Sequence, residues 1–149
     1  MKQKRLPVFN DLPWQEQKQL IRFPVYLSLL AASKDYKLDR KEKNTVVKLT
    51  HIKTFACHPL LADYYAAVDN DFETAVAEIS DQLPKEGVER EWAIKRELYK
   101  LGIILKKLDT EYAAYLTDSL RAYKDQVSRA HRNILEYFIF PLPINGITD

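Results

Sequence analysis

Glycine and cysteine are nearly missing from this chain, with three of the first and one of the second in 149 residues. So few glycines leave no room for the clustered loops that cradle phosphates in nucleotide enzymes. They also argue against an all-β fold built on tight turns. The lone Cys57 has no partner for an internal disulfide and suits a reducing compartment. Long apolar runs are lacking too, since no stretch reaches the length of a bilayer span. The start, Met1 to Phe9, is basic but no continuous apolar segment follows it. No secretory signal is therefore expected, and the cytoplasm is the expected location. Charge of one sign is equally scarce. With 23 basic and 21 acidic residues the net charge is +2, which supplies no long-range field for nucleic acid or anionic membrane.

What the chain does have is helical periodicity. Hydrophobic residues make up 46% and charged residues 30%, a soluble globular mix long enough to bury a core, and residues 1–149 read as one domain. A short helix is expected from Pro13 to Arg22, with Asp11 able to cap it. Pro24 opens a second, Val25 to Ser33, apolar almost all round and so placed in the middle of a bundle. A third starts near Asp39, where Glu42 three residues on completes a capping box, and Val46, Leu49, Ile52, Phe55 and Ala56 form its inward face. Pro59 starts a fourth helix, Leu60 to Val68, and the Asn70–Glu73 pair caps a fifth that ends before Pro84. Two long helices close the chain. Ile94, Leu98, Leu101, Leu105 and Leu108 form one packed seam, and Tyr112, Leu116, Tyr123, Val127, Ala130, Ile134 and Tyr137 form the other. With Asp109 as N-cap and almost no loop between them, the two are expected to form a C-terminal antiparallel helical hairpin. The fold class is therefore an all-α, single-domain bundle of about seven helices. The tail from Phe138, interrupted by Pro141 and Pro143, is expected to lie extended.

One stretch resembles a known family. From Leu29 to Leu49 a helix rich in small residues (Ala31, Ala32) leads into a turn at Asp35, followed by Leu38 three positions on and Glu42 seven positions on. This resembles the signature of TerB-like (tellurite-resistance-type) helical proteins, as do Trp14, Leu20 and Pro24 before it. Two departures stand out. The family's turn glycine is replaced by Tyr36, which a left-handed backbone would strain. A second related turn, best sought at Leu105 to Tyr112, lacks its acids. Some TerB-like domains are associated with divalent metals through such acids, so the resemblance implies Asp35, Asp39 and Glu42 as metal ligands, with a divalent cation as the one possible cofactor. Read from the residues alone, Asp39 and Glu42 cap the third helix and Asp35 stabilises the turn before it.

Other groupings carry less. His51, Cys57 and His58 lie close in sequence, but zinc needs three or four ligands and nothing nearby completes the set. Cys57 has no positioned base for nucleophilic chemistry. The carboxylate pairs Asp69 and Asp71, and Asp109 and Glu111, fall at expected helix starts, where acids complement the helix dipole. Arg121, Lys124, Arg129 and Arg132, with Lys100, Lys106, Lys107 and nine tyrosines, are the raw material of a nucleic-acid surface. Asp118, Asp125 and Glu136 interrupt it, as on a solvated face. These observations lead to a non-enzymatic TerB-like module acting in stress response or as an interaction scaffold. The alternative is a metal-free protein- or nucleic-acid-binding adaptor. A protein partner through the apolar segment Tyr137 to Ile144 is the expected contact if that segment does not pack on its own bundle.

Overall fold

A computed structural model of the chain describes residues 6–32 and 35–139, with side chains described as far as Arg132. The described residues form an all-α fold without β-strands. A 3-10 turn (Phe9–Asp11) precedes α1 (Trp14–Leu20) and α2 (Phe23–Leu30). α3 (Arg40–Ala56) follows, then a 3-10 turn (Pro59–Leu61) and α4 (Ala62–Gln82). α5 (Gly87–Leu105) and α6 (Thr110–Ile139) complete it. Among the described residues no helix is long and apolar enough to cross a membrane.

α2 occupies the centre. It packs against α4, α5 and α6, while α3 packs against α4 and α6. Its sequence explains the position, because Val25, Leu27, Ser28 and Leu29 are all buried and little of the helix is left for water. One buried cluster runs through the molecule from Phe9 and Leu20 to Val127.

This arrangement corrects the expected C-terminal hairpin. α5 lies on α2, and α6 lies on α3 and α2, rather than on each other. The connection is short, but Leu108 within it is buried and the Asp109 amide donates to the Pro7 carbonyl at 2.7 Å. The turn is thereby pinned to the amino-terminal segment, and the all-round apolar α2 takes the place between the two seams. Shared burial outweighs proximity in sequence.

The expected seven helices are also fewer. The fourth and fifth fuse into the 21-residue α4, leaving five helices of eight residues or more beside the short α1. Asn70 and Glu73 have capping-box spacing, but Tyr64, Tyr65, Val68, Phe72, Ala75, Val76 and Ile79 bury one unbroken stripe across them. A cap contributes about 1 kcal/mol, less than burying one aromatic or branched aliphatic residue. Asp69 and Asp71 consequently lie mid-helix, not at a helix start.

Three local readings change as well. Asp11 does not cap α1; its Oδ2 accepts from the Val8 amide at 3.0 Å. On α3 the inward face is Glu42, Val46 and Thr50, whereas Ile52 is 58% and Phe55 79% exposed and Ala56 is exposed. α6 continues through Phe138 to Ile139. The remainder of the apolar tail lies outside the described residues, as do the side chains of Ile134 and Tyr137.

Candidate functional site

The turn that carries the family resemblance is built from two residues in the left-handed region, Asp35 (φ 51°) and Tyr36 (φ 58°). Neither is glycine, so the conformation is held from outside. Arg90 Nε donates to the Tyr36 carbonyl at 2.8 Å, and the Tyr36 hydroxyl donates to the Glu91 carboxylate. A Cβ on Gly87 would come within 3.2 Å of Asp35 Oδ1. The Asp35 carboxylate thus rests against the first turn of α5, where the helix dipole favours an anion and a larger residue would crowd it.

Asp39 and Glu42 point elsewhere. The Glu42 amide donates to Asp39 Oδ1 at 2.8 Å, and the Asp39 amide donates to Glu42 Oε1 at 3.1 Å. This reciprocal cap satisfies two amides at the start of α3. Glu42 then reaches across to α6, where its Oε2 lies 3.7 Å from His131 Nδ1, both side chains buried. Burial pushes the His131 imidazole below its ordinary 6.5, with the Glu42 charge opposing the shift. Of the three expected metal ligands, then, Asp39 and Glu42 come together as a cap and Asp35 does not join them. No group of three or more His, Cys, Asp or Glu able to hold a metal ion occurs among the described residues.

Arg90 was not singled out by the sequence reading. It is 2% exposed and ties three segments together. Besides Tyr36, its guanidinium donates to the Ser80 carbonyl (3.1 Å), the Ser80 hydroxyl (2.8 Å) and the Pro84 carbonyl (3.3 Å). It closes the carboxyl end of α4 and locks the strained turn onto α5. A signal was present, since Arg90 stands one helical step before Ile94 on the inward stripe. Glu42 before Val46 and His131 after Val127 follow the same pattern.

The remaining candidates disperse. His51 is exposed and its Nδ1 lies 3.1 Å from Asp69 Oδ2. His58 accepts from the Leu60 amide at 3.1 Å and stacks on Tyr115, so it caps the 3-10 turn. Cys57 is half-buried, and burial raises its thiol. Asp71 takes Arg22 Nε at 3.3 Å. Asp109 caps α6 through the Tyr112 amide at 3.1 Å. Tyr64, Tyr65 and Tyr123 are core residues bonded to the Leu20 carbonyl, Ser119 and Ser28, so they offer no face to a base. Desolvation carries the phenol of Tyr65 up to about 12. Arg121, Lys124, Arg129 and Arg132 are exposed along α6, with Arg121 near Asp118.

Large apolar side chains stand on two outer faces. On α5 they are Val88 (71% exposed), Trp92 (67%), Tyr99 (74%) and Ile103 (47%), and on α3 they are Ile52 and Phe55. A groove of 560 Å³ beside Trp14, between α1 and α4, is lined by Phe9, Gln17, Ile21, Asp63 and Ala67 among others. No known family, curated protein or solved structure matches this chain. Function has to be read from these surfaces.

Proposed function

We propose that this protein is a non-catalytic helical interaction module. The observation that carries the reading is a division of labour. The buried ionisable side chains described above hold helices and turns together, whereas the outer faces of α5 and α3 expose Trp92, Tyr99 and Phe55. Aromatic residues contribute most where they are buried against a partner, and exposing several along one helix is unusual for a helix that faces only water. The resemblance of residues 29–49 to TerB-like proteins supports a scaffold of the same kind and suggests a stress-response setting.

Photo-cross-linking from a benzophenone residue at position 92, 55 or 124 in cells tests this. Protein adducts are expected from 92 or 55 and not from 124 on the charged face of α6. Adducts from 124 alone, or binding of mixed oligonucleotides at low salt, would favour the nucleic-acid adaptor.

The cation that the resemblance implies has its own check. Calcium, magnesium and zinc are each expected to leave the melting temperature unmoved, because Asp39 and Glu42 are engaged with backbone amides. A rise that Asp35→Ala abolishes would restore cation binding to the function.

A further inference from the structure

The exposed stripe of α5 has a symmetry that the fold does not require. Val88, Trp92, Tyr99 and Ile103 are separated by four, seven and four residues, so the pattern reads the same in both directions about a point between Lys95 and Arg96. At about 100° per residue the four lie within about 60° of one another, on a line about 22 Å long. The opposite side of the same helix supplies the bundle contact through Ile94, Leu101 and Ile104. α5 therefore carries two apolar faces, and among the described residues only one of them is packed on the bundle.

The charges beside the stripe are ordered in the same sense. Of the charges on α5 outside the core, Glu89 and Glu91 lie in the amino-terminal half and Arg96 and Lys100 in the carboxyl-terminal half, with Lys95 just on the amino side of the midpoint and Glu97 the acid beyond it. Reversing a second copy of the helix sets acid against base. Glu89 and Lys100 share one flank of the stripe and lie nearly equidistant from its midpoint, so each would meet the other across a two-fold axis, with Lys100 exchanging its pairing with Glu97 at 3.4 Å for Glu89 of the second copy. Gly102 adds a second sign. It lies within the helix although a glycine there is destabilising relative to alanine, and apart from its neighbours and the helix's own backbone no described atom lies within 4 Å of where its Cβ would be. Packing among the described residues gives no reason for a missing side chain at that place. Lys95 and Arg96 fall near the axis and would each meet its own mate. Both are exposed and flank the stripe, so their charges stay in water, where repulsion is weak.

We infer that the partner of this face is a second copy of the chain, docked α5 against α5 in antiparallel two-fold symmetry. Val88 and Trp92 of one copy then pack on Ile103 and Tyr99 of the other, and Glu89 pairs with Lys100 twice. Such an interface is isologous and closed. One helix pair is at the small end of specific interfaces, so the association is micromolar or weaker. The inference rests on the interaction-module reading and names its partner.

Sedimentation velocity on the full chain, over two orders of magnitude of concentration around the micromolar range, is the direct test. A reversible monomer–dimer equilibrium is expected. Trp92→Glu should weaken it by tenfold or more while leaving the circular-dichroism melting curve of the dilute monomer in place, since Trp92 is outside the core. Glu89→Lys and Lys100→Glu should each weaken dimerisation, and the double charge swap should restore it. A monomer at every concentration, a dimer indifferent to Trp92→Glu, or a swap that fails to rescue overturns the inference. Benzophenone at position 92 separates this failure from failure of the wider reading. A covalent dimer supports self-docking. An adduct to a different protein overturns self-docking and leaves the interaction module standing. A link within the chain to residues 140–149 assigns the face to the tail and removes α5 from both.

Discussion

At the scale of single residues, the buried charges hold turns and helix ends in place. Arg90 satisfies the Tyr36, Ser80 and Pro84 carbonyls with one guanidinium. Arg90→Met would bury those acceptors unpaired and release two left-handed residues from their clamp. A loss on the order of 3 kcal/mol is expected, measured by urea unfolding. Arg90→Lys should recover little, because an ammonium cannot span the same fork of acceptors. His131 makes a different kind of statement. Its pKa is lowered on folding, chiefly by burial, so the unfolded chain takes up the proton first as pH falls. Stability is therefore untouched well above pH 6.5 and declines as pH drops below it. His131→Leu should flatten that limb of the stability curve, whatever it does to the plateau. An unchanged slope between wild type and variant would place the titration elsewhere.

At the scale of elements, local signals were legible where one interaction dominates and misleading where two compete. The Asp39–Glu42 capping box and the Asp109 cap form as the sequence implies, because each needs only residues within three positions. The Asn70–Glu73 pair has the same spacing and forms no cap. There the stripe from Tyr64 to Ile79 continues through it, and burial along α4 outweighs the cap. The two cases make opposite forecasts. Asp39→Ala should cost about 1 kcal/mol. Asn70→Ala, at an exposed mid-helix position, should be neutral or gain about 0.5 kcal/mol from helix propensity. A comparable loss at Asn70 would mean that α4 is broken there. The face of α3 was misread for a related reason. Ile52 and Phe55 are apolar and were placed inside, but Glu42, Val46 and Thr50 share the inward line at helical spacing. Composition alone gives no warning that polar residues take the buried side and aromatic ones the outer side.

At the scale of the whole molecule, the class was legible and the arrangement was not. Scarce glycine and pervasive helical period specify an all-α bundle, and the all-round apolar Val25–Leu30 segment identifies its centre. Which helices touch is a long-range question. α5 and α6 are neighbours in sequence, yet each finds its main partner in a helix far along the chain, with α2 lying between them. The candidate turn was only partly legible, since Asp35, Asp39 and Glu42 were visible but the residues that hold it, Arg90 and His131, lie about 50 or more positions away. Native-state amide exchange examines the central claim, that the bundle is wound round α2 and keeps its buried charges for structure. The amides of Val25 to Leu30 are expected to exchange only through global unfolding, among the slowest in the protein and level with those of α4. Contradiction would be α2 opening at a lower free energy while α5 and α6 stay protected together, as a hairpin independent of it would.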